Sequence, residues 1–113
     1  MFRTLVATIQ HIRFELSNKR PYLVFYVTSA DNYSEFLRFD FTHPRTKQLM
    51  LALLEYSGVD DISKLENKKI RVLLRDGKVY ALGHLFEDKF FTVEQENDEL
   101  IIKTFAEIAN EDH

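Results

Sequence analysis

Apolar and polar residues alternate through much of the chain up to residue 42, which is the pattern of half-buried β-strands. Early in the chain the apolar series Leu5, Ala7, Ile9 gives way to the series Ile12, Phe14, Leu16. Because side chains alternate between the two faces of a strand, this change of parity predicts a bulge in one long strand or two separate strands. No Gly, Pro or Asn interrupts residues 2–16, so we favour one long bent strand, followed by a turn over 17–21.

Two further strands are predicted over residues 22–28 and 35–42, where the alternation is clearest. Beyond them the apolar spacing changes to that of a helix, with a one-sided stripe formed by Leu49, Met50, Leu53, Leu54 and Tyr56. Pro44 suits the first position of a helix, and Gly58 suits the left-handed residue after its last turn. We therefore predict a helix over residues 44–57, capped by Thr42 or His43.

The dipeptide Asp76-Gly77 predicts a two-residue type I′ turn between strands over residues 68–75 and 78–86. Such a turn sets the register, so that Arg75 faces Lys78 and Val72 faces Ala81. A last short strand is predicted over residues 90–93.

The remaining residues allow two interpretations. Residues 99–105 form another strand, or Asn97 caps a helix whose apolar stripe is Ile101, Phe105 and Ile108. We favour the helix.

The element order, three strands, a helix and two or three strands, predicts a mainly β fold with one central helix (α+β). It is the order of the oligonucleotide/oligosaccharide-binding (OB) barrel, here with five or six strands. Other small barrels, and an α+β sheet with one covering helix, also fit this order. In the OB barrel the first strand serves both halves, which agrees with a bend in residues 2–16. We expect residues 1–93 to form the barrel-like domain and residues 94–113 an acidic C-terminal segment.

Charge is unevenly distributed along the chain. The net charge of the 113 residues is −3, which argues against a nucleic-acid ligand. Residues 1–86, however, hold 13 Lys and Arg against 9 Asp and Glu, whereas residues 87–113 hold 2 against 9. A basic body thus precedes an acidic end, and acidic ends of this kind are often interaction elements. Without a signal-peptide pattern or an apolar run of about 18 residues, we expect a cytoplasmic protein with no membrane partner.

The residue types for catalysis are sparse. Absence of cysteine excludes thiol nucleophiles and cysteine-ligated zinc, and the three glycines lie too far apart to cradle a phosphate. His11, His43, His84 and His113 have no metal-ligand spacing. We expect no enzyme, no metal and no cofactor; only a meeting of His11 with His84 would reopen the question.

A binding face is more promising. If Leu23, Phe25, Val27, Leu37, Phe39 and Phe41 face the core, then Tyr22, Tyr26, Phe36 and Arg38 share the opposite face. Aromatic rings that stack on bases, together with cations for phosphates, are what single-stranded nucleic acid requires. Further cations on the flanking turn and the later hairpin are Lys19, Arg20, Arg71, Arg75 and Lys78.

The same aromatic residues have other possible roles. In one alternative they pack against the C-terminal segment. In another they form a protein interface, in a homodimer or in an accessory or inhibitor protein. The acidic segment in turn competes for the basic face, recruits a protein partner through Phe105 and Ile108, or only aids solubility.

Residues 58–65 (GVDDISKL), which follow the predicted helix, and residues 68–73 (KKIRVL) resemble small single-strand-binding-like proteins of phages and mobile elements. The resemblance implies the fold of bacterial single-stranded DNA-binding proteins and an acidic C-terminus. The chain has Glu66-Asn67-Lys68 where those proteins commonly have a Gly-Lys pair, and it has no Trp.

Overall fold

Strands dominate the computed structural model, which describes residues 1–94 and 98–111. Over these residues the elements are β1 (Phe2–Ser17), β2 (Arg20–Thr28), β3 (Ser34–Asp40), α1 (Pro44–Ser57), β4 (Lys69–Arg75), β5 (Lys78–Gly83), β6 (Phe90–Thr92) and α2 (Phe105–Asn110). A 3₁₀ turn, Ile62–Lys64, precedes β4. The six strands form one antiparallel sheet in the order β3-β2-β1-β4-β5-β6, curled into a half-barrel. The prediction of a mainly β fold is confirmed. No helix in the described ranges is long and apolar enough to cross a membrane.

The first strand joins the two halves of the sheet. Its N-terminal half pairs with β4 and its C-terminal half pairs with β2. The register with β2 shifts between Gln10 and Arg13, and His11 lies at φ 57° within that shift. The bulge predicted from the parity change is therefore confirmed.

The main core lies between the concave face of the sheet and α1. It contains the inward side chains Ile9, Leu23, Phe25, Val27, Leu37, Phe39, Ile70, Val72 and Leu74, with Leu49, Leu53 and Tyr56 from α1. The imidazole of His43 caps α1 by accepting from the Arg45 N–H at 3.1 Å, and Gly58 ends it at φ 70°. The helix predicted over residues 44–57 is confirmed.

Two predicted boundaries are corrected by hydrogen bonding. The turn after β1 is only Asn18-Lys19, because Arg20 already pairs with Ser17. Strand β3 ends at Asp40 instead of residue 42. There the Asp40 carboxylate accepts from the backbone N–H of Thr42 at 2.9 Å and turns the chain towards α1.

The β4–β5 hairpin has the predicted turn but only part of the predicted register. Asp76 and Gly77 have φ of 53° and 84°, as a type I′ turn requires. Arg75 faces Lys78, as predicted. The register then shifts at Leu73/Leu74. Val72 therefore faces Leu82 and not Ala81, and the prediction is wrong from Tyr80 onwards.

The C-terminal segment differs from both predicted forms. Its helix is only Phe105–Asn110, and it begins at a capping box formed by Thr104 and Glu107. Before the helix, Lys103 exchanges two backbone hydrogen bonds of 2.8 Å with Phe90. Ile101 is 47% exposed and does not belong to an apolar stripe. The proposed cap, Asn97, lies outside the described residues.

A second, smaller core lies on the convex face of β4, β5 and β6. Ile108 of α2 is buried there with Leu73, Ala81 and Phe90, and Phe2 and Tyr80 pack around them. Helix α2 is thus docked on one end of the sheet's outer face, whereas Leu100 packs against the main core and its N–H donates to the Gln48 side chain of α1 at 2.8 Å.

Side-chain hydrogen bonds link β3 to β5, and α1 to the end of β6. The Glu35 carboxylate on β3 accepts from the Val79 N–H on β5 at 3.0 Å, and also from the Tyr33 hydroxyl. Burial and the adjacent Glu35 raise the pKa of Tyr33. Arg45, buried at the start of α1, donates to the Thr92 carbonyl at 2.6 Å and to the Glu94 carbonyl.

Candidate nucleic-acid interface

The four residues predicted to share a face do so, on the convex side of β2 and β3. In the ladder between these strands Tyr26 lies opposite Phe36, and Val24 lies opposite Arg38. Directly opposed residues of an antiparallel pair point to the same side of the sheet. Tyr22, two positions along from Val24, completes this face. The residues that alternate with it along β2 and β3 point into the main core: Leu23, Phe25, Leu37 and Phe39.

The aromatic side chains on this face are in contact with one another. The rings of Tyr26 and Phe36 lie 5.1 Å apart between centroids, and the His11 ring lies edge-on to Tyr26 at 5.9 Å. Phe36 remains 40% exposed. The guanidinium carbon of Arg38 lies 3.7 Å from the centroid of the Tyr22 ring, a cation–π contact. We call Tyr22, Tyr26, Phe36 and Arg38 the aromatic face.

Cations and carboxylates both surround the aromatic face. On the convex side of β1–β3 and the turn after β1, the cations are Arg13, Lys19, Arg20 and Arg38 and the carboxylates are Glu15 and Asp40, and the Glu66 carboxylate lies at the bulge beside His11. Arg20 forms an ion pair of 3.1 Å with Asp40, and Arg13 one of 3.6 Å with Glu15. Hydrogen bonds from Thr42, and then the Arg20 guanidinium, lower the pKa of Asp40, so its carboxylate is charged at neutral pH.

The cations predicted on the later hairpin share the convex side but lie beyond β1, at the end of the sheet where α2 is docked. Arg75 lies over the rings of Tyr80 and Phe2, at 5.4 and 5.9 Å from their centroids. Arg71 donates to the Leu85 carbonyl at 2.9 Å, and Lys78 is exposed. The predicted cations therefore form two groups and not one continuous patch.

The two tail residues predicted to recruit a partner are occupied within the chain. Ile108 is 1% exposed in the second core. Phe105 packs edge-on against Phe2 at 6.3 Å and keeps 36% of its surface. Ile108 is therefore covered within the chain, whereas Phe105 keeps an exposed surface. The helix that carries them covers the β4–β6 end of the convex side, and the aromatic face lies at the β2–β3 end.

Sequence reasoning missed a hollow beside the aromatic face. Its volume is about 310 Å³, and its lining residues are Gln10, His11, Tyr26, Thr28 and Ser34. The available signal was the parity change at Gln10-His11, because bulges re-aim side chains next to binding sites. The parity change predicts the bend in β1, but it does not by itself indicate a cavity beside it.

The histidines considered from the sequence lie in different parts of the described structure. No group of three or more His, Asp or Glu residues there has a geometry for holding a metal ion. His11 lies beside Tyr26, whereas His84 lies 5.5 Å from the ring of Tyr56, a residue of the main core. The meeting of His11 with His84 considered from the sequence is therefore not formed. His113 lies outside the described residues.

Comparisons with protein-family models, with curated proteins and with solved structures give no match.

Proposed function

We propose that this protein is a non-enzymatic module that binds single-stranded nucleic acid through the aromatic face. One observation carries the proposal: the exposed ring of Phe36, the half-buried rings of Tyr22 and Tyr26, and the exposed Arg38 share one face of β2–β3. Helix α2 packs on the other end of the same side.

Each part of the face has a role in this proposal. Phe36 offers a stacking surface, and stacking on an aromatic ring contributes about 1–3 kcal/mol per base. The Arg38 guanidinium, whose carbon lies 3.7 Å from the centroid of the Tyr22 ring, offers a second planar surface on which a base stacks. Lys19 and Arg20, at the end of the β1–β2 hairpin, are placed to contact phosphates of the same strand.

The topology supports the same assignment. A first strand shared between β2 and β4, with a helix after β3, is the order of an OB barrel, whose second and third strands form its binding face. We propose an OB-like half-barrel in which Glu35 and Val79 make the contact between β3 and β5. The resemblance of residues 58–73 to single-strand-binding-like proteins agrees with this proposal.

The proposal is tested by substitution on the aromatic face. We expect Phe36→Leu to weaken binding of a fluorescently labelled oligo-dT about tenfold, since it removes a stacking ring but keeps an apolar side chain. Arg38→Gln should weaken it by a similar factor and flatten its salt dependence. Fluorescence anisotropy at about 50 mM salt provides the measurement.

Matched controls separate this face from the rest of the surface. Phe86→Leu makes the same change at an exposed ring in the β5–β6 connection, and Lys47→Gln removes an exposed charge on α1. Both should bind as the parent protein does. Equal affinities for Phe36→Leu and Phe86→Leu would contradict the proposal.

A second candidate uses the same face for a protein partner or a second copy of the chain. It is favoured by the composition of the face, since aromatic residues and arginine are also enriched in protein interfaces. Sedimentation distinguishes the two candidates. A stable dimer that dissociates on Tyr26→Ser, without oligonucleotide binding, would favour the protein interface.

A further inference from the structure

The bulge in β1 is held in place by the loop that precedes β4. The Glu66 carboxylate accepts from the backbone N–H groups of His11 at 2.9 Å and Ile12 at 3.1 Å. Just before the bulge, the Asn67 N–H donates to the Ile9 carbonyl at 2.7 Å and the Ile9 N–H donates to the Lys68 carbonyl at 2.8 Å. These bonds hold His11 at φ 57°, a left-handed conformation that is uncommon for a residue with a side chain.

The consequence of this conformation is the hollow of about 310 Å³ beside the aromatic face. His11 and Tyr26 form an aromatic corner, with their rings at 85° to each other. Gln10, Thr28 and Ser34 supply polar groups. The Thr28 hydroxyl donates to the Gln10 side-chain carbonyl at 3.1 Å, which orients the amide so that its NH₂ group is the donor presented to a ligand.

We propose that this hollow receives one unpaired base of the bound strand and that the Gln10 amide reads the edge of that base. The inference rests on the proposed function and adds a base preference to it. Unpaired bases are typically recognised by stacking on aromatic side chains and by hydrogen bonds to their edges, and both kinds of group line the hollow. Its volume is at the low end of ligand pockets, which suits a single base.

A second hollow gives the strand its direction. Thr28 also lines a depression of about 450 Å³ together with Val6, Thr8 and Lys69. Thr8 pairs with Thr28 on β2 and with Lys69 on β4, so these three residues form a row across the sheet. With strands about 4.8 Å apart, Lys69 lies about 10 Å from Thr28, within reach of a phosphate next to the bound base. At the Thr28 end of β2, the bound nucleic acid therefore leaves the aromatic face and runs across β1 towards Lys69 on β4.

The test compares oligo-dT, oligo-dA and oligo-dC of equal length. We expect the parent protein to prefer one of them about tenfold, the range of a base read by a side-chain amide. Gln10→Ala should remove that preference while changing the affinity for the other two less than twofold. Lys69→Ala should weaken all three equally and reduce the salt slope by about one. Thr4→Ala, an exposed change on the same face of β1, is the matched control.

The outcomes separate the base pocket from the proposed function. Equal affinities for the three oligomers, or a preference that persists in Gln10→Ala, would overturn the pocket and leave the aromatic face intact. A free nucleoside monophosphate that binds as tightly as the oligomer would also overturn it, because the site would then serve a free nucleotide. Failure of every oligomer to bind would overturn both proposals.

Discussion

Glu66 shows how one side chain turns a sequence pattern into a defined backbone conformation. The parity change in β1 predicts a bulge, but a bulge leaves backbone N–H groups without partners in the ladder. Glu66 accepts from both of them, at His11 and Ile12. Nothing local to residues 2–16 could predict this partner, because it lies more than 50 positions away along the chain. The position of the bend is therefore predictable from sequence, whereas the direction in which His11 points is not.

The pKa of Glu66 provides a prediction at this scale. The His11 and Ile12 N–H groups stabilise the carboxylate and hold its pKa below the usual 4.5. A lowered folded-state pKa means that the charge stabilises the fold above about pH 4.5 and that this contribution is lost as the pH falls through the folded-state value. Glu66→Gln should therefore lower the Tm at pH 7, and the difference should shrink as the pH falls below about 4.5.

Thermal unfolding followed by circular dichroism, for both proteins over this pH range, measures the difference. Glu15→Gln is a suitable control, since Glu15 forms only an exposed ion pair with Arg13. A Tm difference between parent and Glu66→Gln that stays constant from pH 7 to pH 3 would contradict the role given to the carboxylate.

At the scale of elements, short sequence signals predict the helix ends and turns that local interactions determine. Pro44, Gly58 and Asp76-Gly77 marked a helix and a turn that the structure contains. The register beyond Tyr80 was not predictable from the turn, because the bulge places Ala81 in the second core, against parts of the chain more distant in sequence.

The C-terminal helix begins after Thr104 and not after Asn97, although the true start has a local sequence signature. Thr104 and Glu107 have the spacing of a capping box, a better start signal than Asn97. Residue 103 is excluded from the helix because its backbone pairs with Phe90 on β6.

The docking of α2 can be tested with two isoleucines. Ile108→Ala removes a buried side chain from the second core and should destabilise the protein by about 2–4 kcal/mol. Ile101→Ala makes the same change at a half-exposed position and should cost less than about 1 kcal/mol. Urea unfolding of the full chain measures both values. Equal losses would show that α2 does not depend on this contact.

At the scale of the whole molecule, the convex side of the sheet is divided between two uses. Its β4–β6 end is covered by α2, and its β2–β3 end carries the aromatic face. Strand alternation was sufficient to predict that Tyr22, Tyr26, Phe36 and Arg38 share a face. It could not predict that Arg71 and Arg75 lie near the other end, because that depends on the order of strands in the sheet.

The folded structure changes the interpretation of the uneven charge along the chain. The acidic residues 87–113 include β6 and the docked helix, so in the described ranges they are part of the folded body. Net charge alone consequently says little about the ligand, since it does not report where the cations of the aromatic face, such as Arg38 and Arg20, lie.

The most direct test of the central proposal is the salt dependence of oligo-dT binding by the full chain. The protein has five Tyr and no Trp, so its intrinsic fluorescence reports on tyrosines, two of which lie on the aromatic face. We predict saturable quenching at about 50 mM salt. With three to four phosphate contacts, the affinity should fall about 15- to 60-fold between about 50 and 200 mM salt. Absence of quenching at about 50 mM salt, or an affinity that does not change with salt, would contradict the account.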